Sequence, residues 1–159
     1  MKKRLLPVLI LISTLSACTH NARLYPIQGP LSTQTPPPVI FAKITGTDLP
    51  QEISIVLSDG EVCKGHWVMV KAREGAASTS ASTIDMSSAW DAVYGSGFYV
   101  ADVLGARHYA RAVASGDRGT VVNVELYRPD ERGHDDTTLT TRAKGVARDS
   151  KGNVYKLVL

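Results

Sequence analysis

Thiols and aromatic rings are both scarce in this 159-residue chain, which has 2 cysteines and 6% Phe, Trp and Tyr. Two cysteines close at most one bridge, so the chain is no disulfide-dense scaffold. It also has no apolar run able to cross a bilayer as a lasting helix: the segment Leu5 to Leu15 stops well short of the ~20 residues a span needs. Motifs that announce common chemistries are missing too. Gly95-Ser96-Gly97 has neither the spacing of a phosphate-binding loop nor that of the Gly-x-Ser-x-Gly turn that presents a nucleophilic serine. No ligand pair stands at recognisable zinc or calcium spacing. The one dense cluster, His134-Asp135-Asp136, reads as a solvated loop, because consecutive side chains rarely converge on one ion. On this basis no catalytic, cofactor-binding or metal-binding residue is assigned, and no cofactor is expected.

What is present begins at the N-terminus. Met1-Lys2-Lys3-Arg4 is a basic start, Leu5 to Leu15 is mostly apolar, and Leu15-Ser16-Ala17-Cys18 sets small residues directly before a cysteine. Small side chains suit a peptidase cutting beside a membrane, and a thiol at that place can carry diacylglycerol through a thioether. The constellation resembles the lipobox of bacterial lipoprotein signals. That resemblance implies a signal peptide over residues 1–17, cleavage between Ala17 and Cys18, and lipidation of Cys18; the alternative is an ordinary signal peptide cut near a cysteine. One acyl chain gives marginal membrane residence, whereas a triacylated terminus, palmitate included, buries enough methylenes at about 0.8 kcal/mol each to be effectively permanent. In lipoproteins of two-membrane bacteria an Asp after the cysteine implies retention at the inner membrane. Thr19 stands there, so the resemblance implies the outer membrane, facing the periplasm.

Removing residues 1–17 leaves 142 of the 159, enough for one domain with a hydrophobic core. It also removes Lys2, Lys3 and Arg4, so that 15 basic residues stand against 15 acidic ones. A formally neutral domain has no excess of cations to displace the counterions of a polyanion, which argues against a nucleic-acid partner. With Cys18 alkylated, Cys63 has no disulfide partner within the chain. Residues 18–38 carry Pro26, Pro30, Pro36, Pro37 and Pro38. They read as an acylated cysteine and a Pro-rich tether, able to hold a domain on the order of 60 Å from the bilayer; packing of Leu24, Tyr25, Ile27 and Leu31 onto the domain is the competing reading. Residues 39–159 form the single β domain. Tyr25-Pro26-Ile27-Gln28-Gly29-Pro30-Leu31 and Asp59-Gly60-Glu61-Val62-Cys63-Lys64-Gly65 together resemble a group of small proteobacterial lipoproteins, a resemblance that implies no particular activity.

Register follows from three turns of one kind. A three-residue loop Asp117-Arg118-Gly119, with its glycine in the left-handed conformation, sets Ala114 opposite Val122, Ala112 opposite Val124 and Ala110 opposite Leu126. The other face then pairs Arg111 with Glu125 and Tyr109 with Tyr127, where cross-strand contacts count. A two-residue loop would set apolar residues against polar ones. The same grammar at Ser58-Asp59-Gly60 pairs Ile55 with Cys63 and Ile53 with Gly65, with Trp67 further along that face. At Ser150-Lys151-Gly152 it pairs Ala147 with Tyr155, Gly145 with Leu157 and Ala143 with Leu159. Small residues oppose large ones, as in a curved or closing sheet. Val39 to Thr45 and Phe98 to Leu104 are further runs of strand length. Met86, Ala89, Trp90 and Val93 recur at helical spacing, with Asp85 placed to cap the start and Gly95 to end it. The apolar stripe of this short helix is expected to cover an opening or an edge of the sheet. Residues 75–83 and 129–138 read as loops. The fold class is therefore mainly β: an antiparallel meander of about eight strands forming a small barrel or a sandwich, with one short helix.

Parity points Cys63 inward beside Ile55, away from Lys64 and His66, which makes it a packing residue rather than a nucleophile. His66 and His108 with Asp91 or Asp102 allow imagined triads, so a hydrolase with a non-local site is the third reading. Trp67, Trp90, Tyr94, Phe98 and Tyr99 are the possible binding surface, lining a pocket where helix meets sheet, against the alternative that they are core or rim packing. The leading expectation is a lipid-anchored envelope protein that binds or scaffolds, its partners being the membrane through the Cys18 anchor and an envelope protein. The runner-up is a carrier or sensor of a small apolar ligand inside a barrel.

Overall fold

The computed structural model describes residues 19–45, 52–70, 86–104, 106, 108–129 and 143–159. Eight strands run in chain order: β1 (Thr19–Gln28), β2 (Ile40–Thr45), β3 (Glu52–Val56), β4 (Val62–Val70), β5 (His108–Gly116), β6 (Val121–Arg128), β7 (Lys144–Asp149) and β8 (Val154–Val158). Each pairs antiparallel with the next, and β8 pairs with β1, so the meander closes into a barrel rather than a sandwich. One helix, α1 (Ser87–Tyr94), lies between β4 and β5. Because connections alternate between ends, the β3–β4, β5–β6 and β7–β8 turns share one end of the barrel with the β1–β2 connection; that end is called the closed end below.

The registers are those that the turns dictate. Ala114 pairs with Val122, Ala112 with Val124 and Ala110 with Leu126; Ile55 pairs with Cys63 and Ile53 with Gly65; Ala147 pairs with Tyr155 and Gly145 with Leu157. Ala143 and Leu159 fall beyond the ends of β7 and β8. Gly60, Gly119 and Gly152 hold φ of 82°, 92° and 88°, the left-handed backbone each turn needs. One hydrogen-bonded row shows how the interior fills: Trp67 pairs with Ala112, Ala112 with Val124, Val124 with Ala147, and Ala147 with Tyr155. Two bulky rings share the interior with small neighbours, and all five side chains are buried. Ile40, Ile44, Ile53, Ile55 and Leu157 complete the inward face, while Arg23, Lys43, Lys64 and Arg111 stand exposed on the outer one. Apolar inside and charged outside is the reverse of a barrel that crosses a bilayer.

Three expectations are corrected. Residues 19–28 are a barrel strand, not the start of a tether, and the domain begins before residue 39: Ala22, Leu24 and Pro26 are buried along β1, and Pro26 sits at an irregularity in the β1–β8 ladder, where its missing N–H is tolerated. The remaining prolines belong to the β1–β2 connection, whose 3-10 turn Pro30–Thr33 sets Leu31 against the core. Residues Phe98–Leu104 are not a strand; Tyr99–Val103 form a π-helical turn, because the apolar residues there serve a packing surface outside the sheet. Nor does α1 cover an opening or an edge. A closed barrel has no edge, and Ala89 and Trp90 pack with Tyr127, Val146 and Val154 on the outer wall of β6, β7 and β8. Met86 occupies the helix N-cap without a side-chain bond, and Gly95 ends the helix at φ 110°. Cys18, Asp85, residues 75–83 and His134-Asp135-Asp136 lie outside the described residues.

Among the described glycines the closest approach to a backbone atom is at Gly65, where a Cβ would stand 2.1 Å from the carbonyl oxygen of Val113 on the neighbouring strand. A backbone atom cannot step aside cheaply, so Gly65→Ala forces β4 and β5 apart and destabilises the fold by about 1–3 kcal/mol. The measurement is urea unfolding, with the midpoint falling at an unchanged slope.

Candidate functional site

Two regions gather chemistry-bearing side chains, and they differ in kind. The first is an aromatic shelf on the outer wall. α1 carries Trp90 and Tyr94 one turn apart, and Gly95 and Gly97, both at positive φ, swing the chain back so that Phe98 stacks on both. Ring centroids are 5.5 Å apart for Trp90 and Tyr94, 5.9 Å for Trp90 and Phe98 and 4.9 Å for Tyr94 and Phe98. Tyr127 meets Trp90 and Phe98 edge-on. The return is pinned by Asp91, whose Oδ1 accepts the Tyr99 N–H at 3.0 Å, a bond that holds its carboxyl below the usual range.

Polar atoms of the shelf are partnered. The Trp90 Nε1–H donates to Glu125 Oε2 at 2.7 Å, a buried bond to an ionisable acceptor. The Tyr94 hydroxyl donates to the Gly145 carbonyl at 3.3 Å and accepts its N–H at 3.2 Å, and burial pushes the phenol up. Lys144 places its Nζ 4.6 Å from the Phe98 ring centre and 5.5 Å from that of Tyr94, and Lys156 lies 5.6 Å from Tyr94. Of the five aromatics expected to form a binding surface, the structure brings Trp90, Tyr94 and Phe98 together, with Tyr99 next in the chain. Trp67 is on the other side of the wall, buried in the barrel, and its Nε1 has no hydrogen-bond partner.

The second region is the polar closure of the closed end. Glu61 is buried just after the β3–β4 turn. Its carboxylate accepts the Thr120 hydroxyl, the Thr120 N–H at 2.9 Å, the Arg118 N–H at 3.0 Å and the Lys151 ammonium at 3.4 Å. The Thr120 hydroxyl bond leads in holding its pKa at about 2 despite burial. Gly116 makes room: a Cβ there would stand 2.1 Å from Glu61 Oε1. Outside it, Asp59 pairs with Arg118 at 2.9 Å and Lys151 at 2.8 Å. Asp149, also buried, accepts from the Lys151 N–H, the Asn153 N–H and amide, and the Tyr155 hydroxyl at 2.6 Å. Asn153 Oδ1 in turn accepts the Leu31 N–H at 2.9 Å, fastening the 3-10 turn across the end.

Sequence reasoning passed over Glu61, Thr120, Asp149 and Asn153, although the same register arithmetic puts them on the inward face. In each hairpin the residues flanking the turn continue the buried row: Glu61 beyond Cys63, Thr120 beyond Val122, and Asp149 with Asn153 beyond Ala147 and Tyr155. Cys63 points inward, and burial pushes its thiol up to about 11, with Glu61 adding to the shift. Among the described residues no three His, Cys, Asp or Glu side chains are grouped to hold a metal ion, and no helix is long and apolar enough to cross a membrane. The fold and sites define a closed eight-stranded meander barrel with an aromatic shelf outside. Comparison with known proteins adds no relative: no family model, curated protein or solved structure matches the chain.

Two outcomes follow. A carboxyl depressed in the fold contributes stability that is complete above its ordinary pKa of 4.5 and drains away as pH falls toward about 2. Unfolding free energy should therefore drop across that interval, and Glu61→Gln, less stable at neutral pH, should show a shallower acid slope. The Cys63 thiol should stay unreactive toward a disulfide reagent at pH 8 in the folded chain and titrate fully in denaturant.

Proposed function

We propose that the chain is a lipid-anchored protein of the cell envelope, attached through Cys18, resident in the outer membrane and facing the periplasm, which acts by binding or scaffolding rather than by catalysis. The observation that supports the non-catalytic reading is the saturation of two buried carboxylates at the closed end. Glu61 and Asp149 each accept several hydrogen bonds from backbone and side chains of the adjoining turns. Groups so committed have no lone pair free for a reacting proton, and Glu61 is held far below neutral pH by its hydrogen bonds. The half-buried rings of Tyr94, Phe98 and Tyr99, with Lys144 over two of them, supply an amphipathic surface of the kind a protein partner uses.

A second reading, a carrier or sensor of a small ligand in the barrel, is favoured by one observation. The Trp67 indole N–H faces the interior, 3% exposed, without an acceptor. A ligand oxygen would satisfy it, where a buried donor otherwise forfeits about 1–3 kcal/mol. Native mass spectrometry of protein extracted under gentle conditions separates the readings, since a carrier retains a bound small molecule and a scaffold does not.

The anchoring is tested by mass spectrometry of the native product and by photo-crosslinking in intact cells. The expected terminus is an acylated Cys18, and Cys18→Ala should move to the soluble fraction. A crosslinker at Val100, exposed beside the shelf, should capture the same partner from both forms. An unprocessed front end removes the anchoring, and adducts no different from those of a crosslinker at Val113 remove the shelf as the recognition surface.

A further inference from the structure

The structure removes the spacer that the sequence had suggested, and the geometry then constrains how the barrel meets its membrane. Thr19, the residue after the lipid-bearing cysteine, is already paired in β1. A covalent anchor at residue 18 therefore leaves essentially no slack between acyl chains and barrel wall. The anchor leaves from the N-terminal end of β1, at the barrel end opposite the closed end, and a barrel lying on its side from there brings the outer face around β1 to the bilayer surface.

That face is unlike the rest. One hydrogen-bonded row runs from Val158 on β8 through Arg23 on β1 and Phe41 on β2 to Val56 on β3. Phe41 is 60% exposed, Val56 48% and Val158 41%; with Ile27 and Val39 they make five of the nine large hydrophobic side chains exposed among the described residues. Of the other strands, β4 and β5 expose one large apolar side chain each, Val68 and Val113, and β6 and β7 lie partly under α1, so this is the densest apolar stretch of the described outer wall. Around the apolar row the charge is positive, and the acidic Glu52 of β3 stands at the far end of the face, opposite Thr45. β1 and β2 carry Arg23 and Lys43, both exposed, and neither strand contains Asp or Glu. Arg23 stands between Val158 and Phe41, so its apolar stem can lie along the patch while the guanidinium reaches a phosphate. Apolar side chains ringed by cations fit the boundary between acyl chains and anionic headgroups.

We propose that the outer face of β1, β2 and β3 with Val158 at the end of β8, centred on Phe41, docks on the phospholipid bilayer that holds the anchor, leaving the aromatic shelf over β6, β7 and the start of β8 free for a partner. The proposal rests on the lipidation of Cys18 put forward above. It commits to a lipid surface because the anchor leaves from β1 itself and the apolar row lies on β1 and the strands beside it.

The test uses the full lipidated chain in vesicles of phosphatidylethanolamine and phosphatidylglycerol. Phe41→Cys and, as control, Val113→Cys on β5, 54% exposed, are each labelled with an environment-sensitive fluorophore. Cys63, buried in the barrel, takes no label while the chain is folded. The expected result is a blue-shifted label at position 41, quenched several-fold more strongly by nitroxide-bearing lipid than the label at 113. Equal quenching at the two positions, with the protein still sedimenting with the vesicles, overturns the docking face and leaves the anchor standing. Protein that stays in the supernatant, or whose mass lacks the acyl chains, overturns the anchor and this proposal with it. Adding Arg23→Glu to the position-41 label distinguishes the charge component: the quenching should fall toward the control, and quenching unchanged by that substitution removes the phosphate contact.

Discussion

Closing a sheet of eight strands leaves an interior of fixed width, and every inward side chain in this barrel answers to that limit. β5 contributes Ala110, Ala112 and Ala114, and β7 contributes Gly145 and Ala147, so that Trp67, Tyr155 and the isoleucines of β2 and β3 can enter from the other walls. The constraint reaches the backbone at Gly65, where β4 approaches β5 too closely for any Cβ. Close packing of this sort is intolerant of added volume and supplies the order that two cysteines cannot.

The chemistry of the barrel divides across that wall. Inside, polar groups occur chiefly at the closed end and are consumed there, with Glu61 and Asp149 each ringed by donors from the turns. Outside, aromatic and apolar side chains remain available, in the shelf around Tyr94 and Phe98 and in the row through Phe41. Inertness within and stickiness without suit a protein that holds others in place. Among the described residues the unpartnered Trp67 N–H is the interior feature that does not conform.

Much of this was legible in the sequence because parity is unforgiving: three turns with a glycine in the third position fix three hairpins, and the Ala112–Val124 and Ala147–Tyr155 pairs stand where the alternation places them. The expected number of strands also matches, through one exchange. Residues 98–104 looked like a strand and are a π-helical turn; residues 19–28 looked like a spacer and are β1. Polar residues on its exposed face and a proline at its irregularity hid the alternation of Ala22, Leu24 and Pro26. The shelf residues were found by their type, and Trp67 was grouped with them on that ground although the register of the β3–β4 hairpin already set it on the inward face with Cys63. Glu61 and Asp149 escaped because carboxylates are assumed to face water, although the register that oriented Cys63 oriented them too.

Glu61 also determines how the barrel comes apart. Its donors come from the β5–β6 and β7–β8 turns, far along the chain from its own hairpin. A carboxylate stripped of those donors while still enclosed is among the costliest species a protein can hold. None of the β3–β4, β5–β6 and β7–β8 hairpins can therefore peel away and leave the other two intact. Hairpins that local pairing could form independently are obliged to open together, so the closed end behaves as one cooperative unit and does not fray strand by strand.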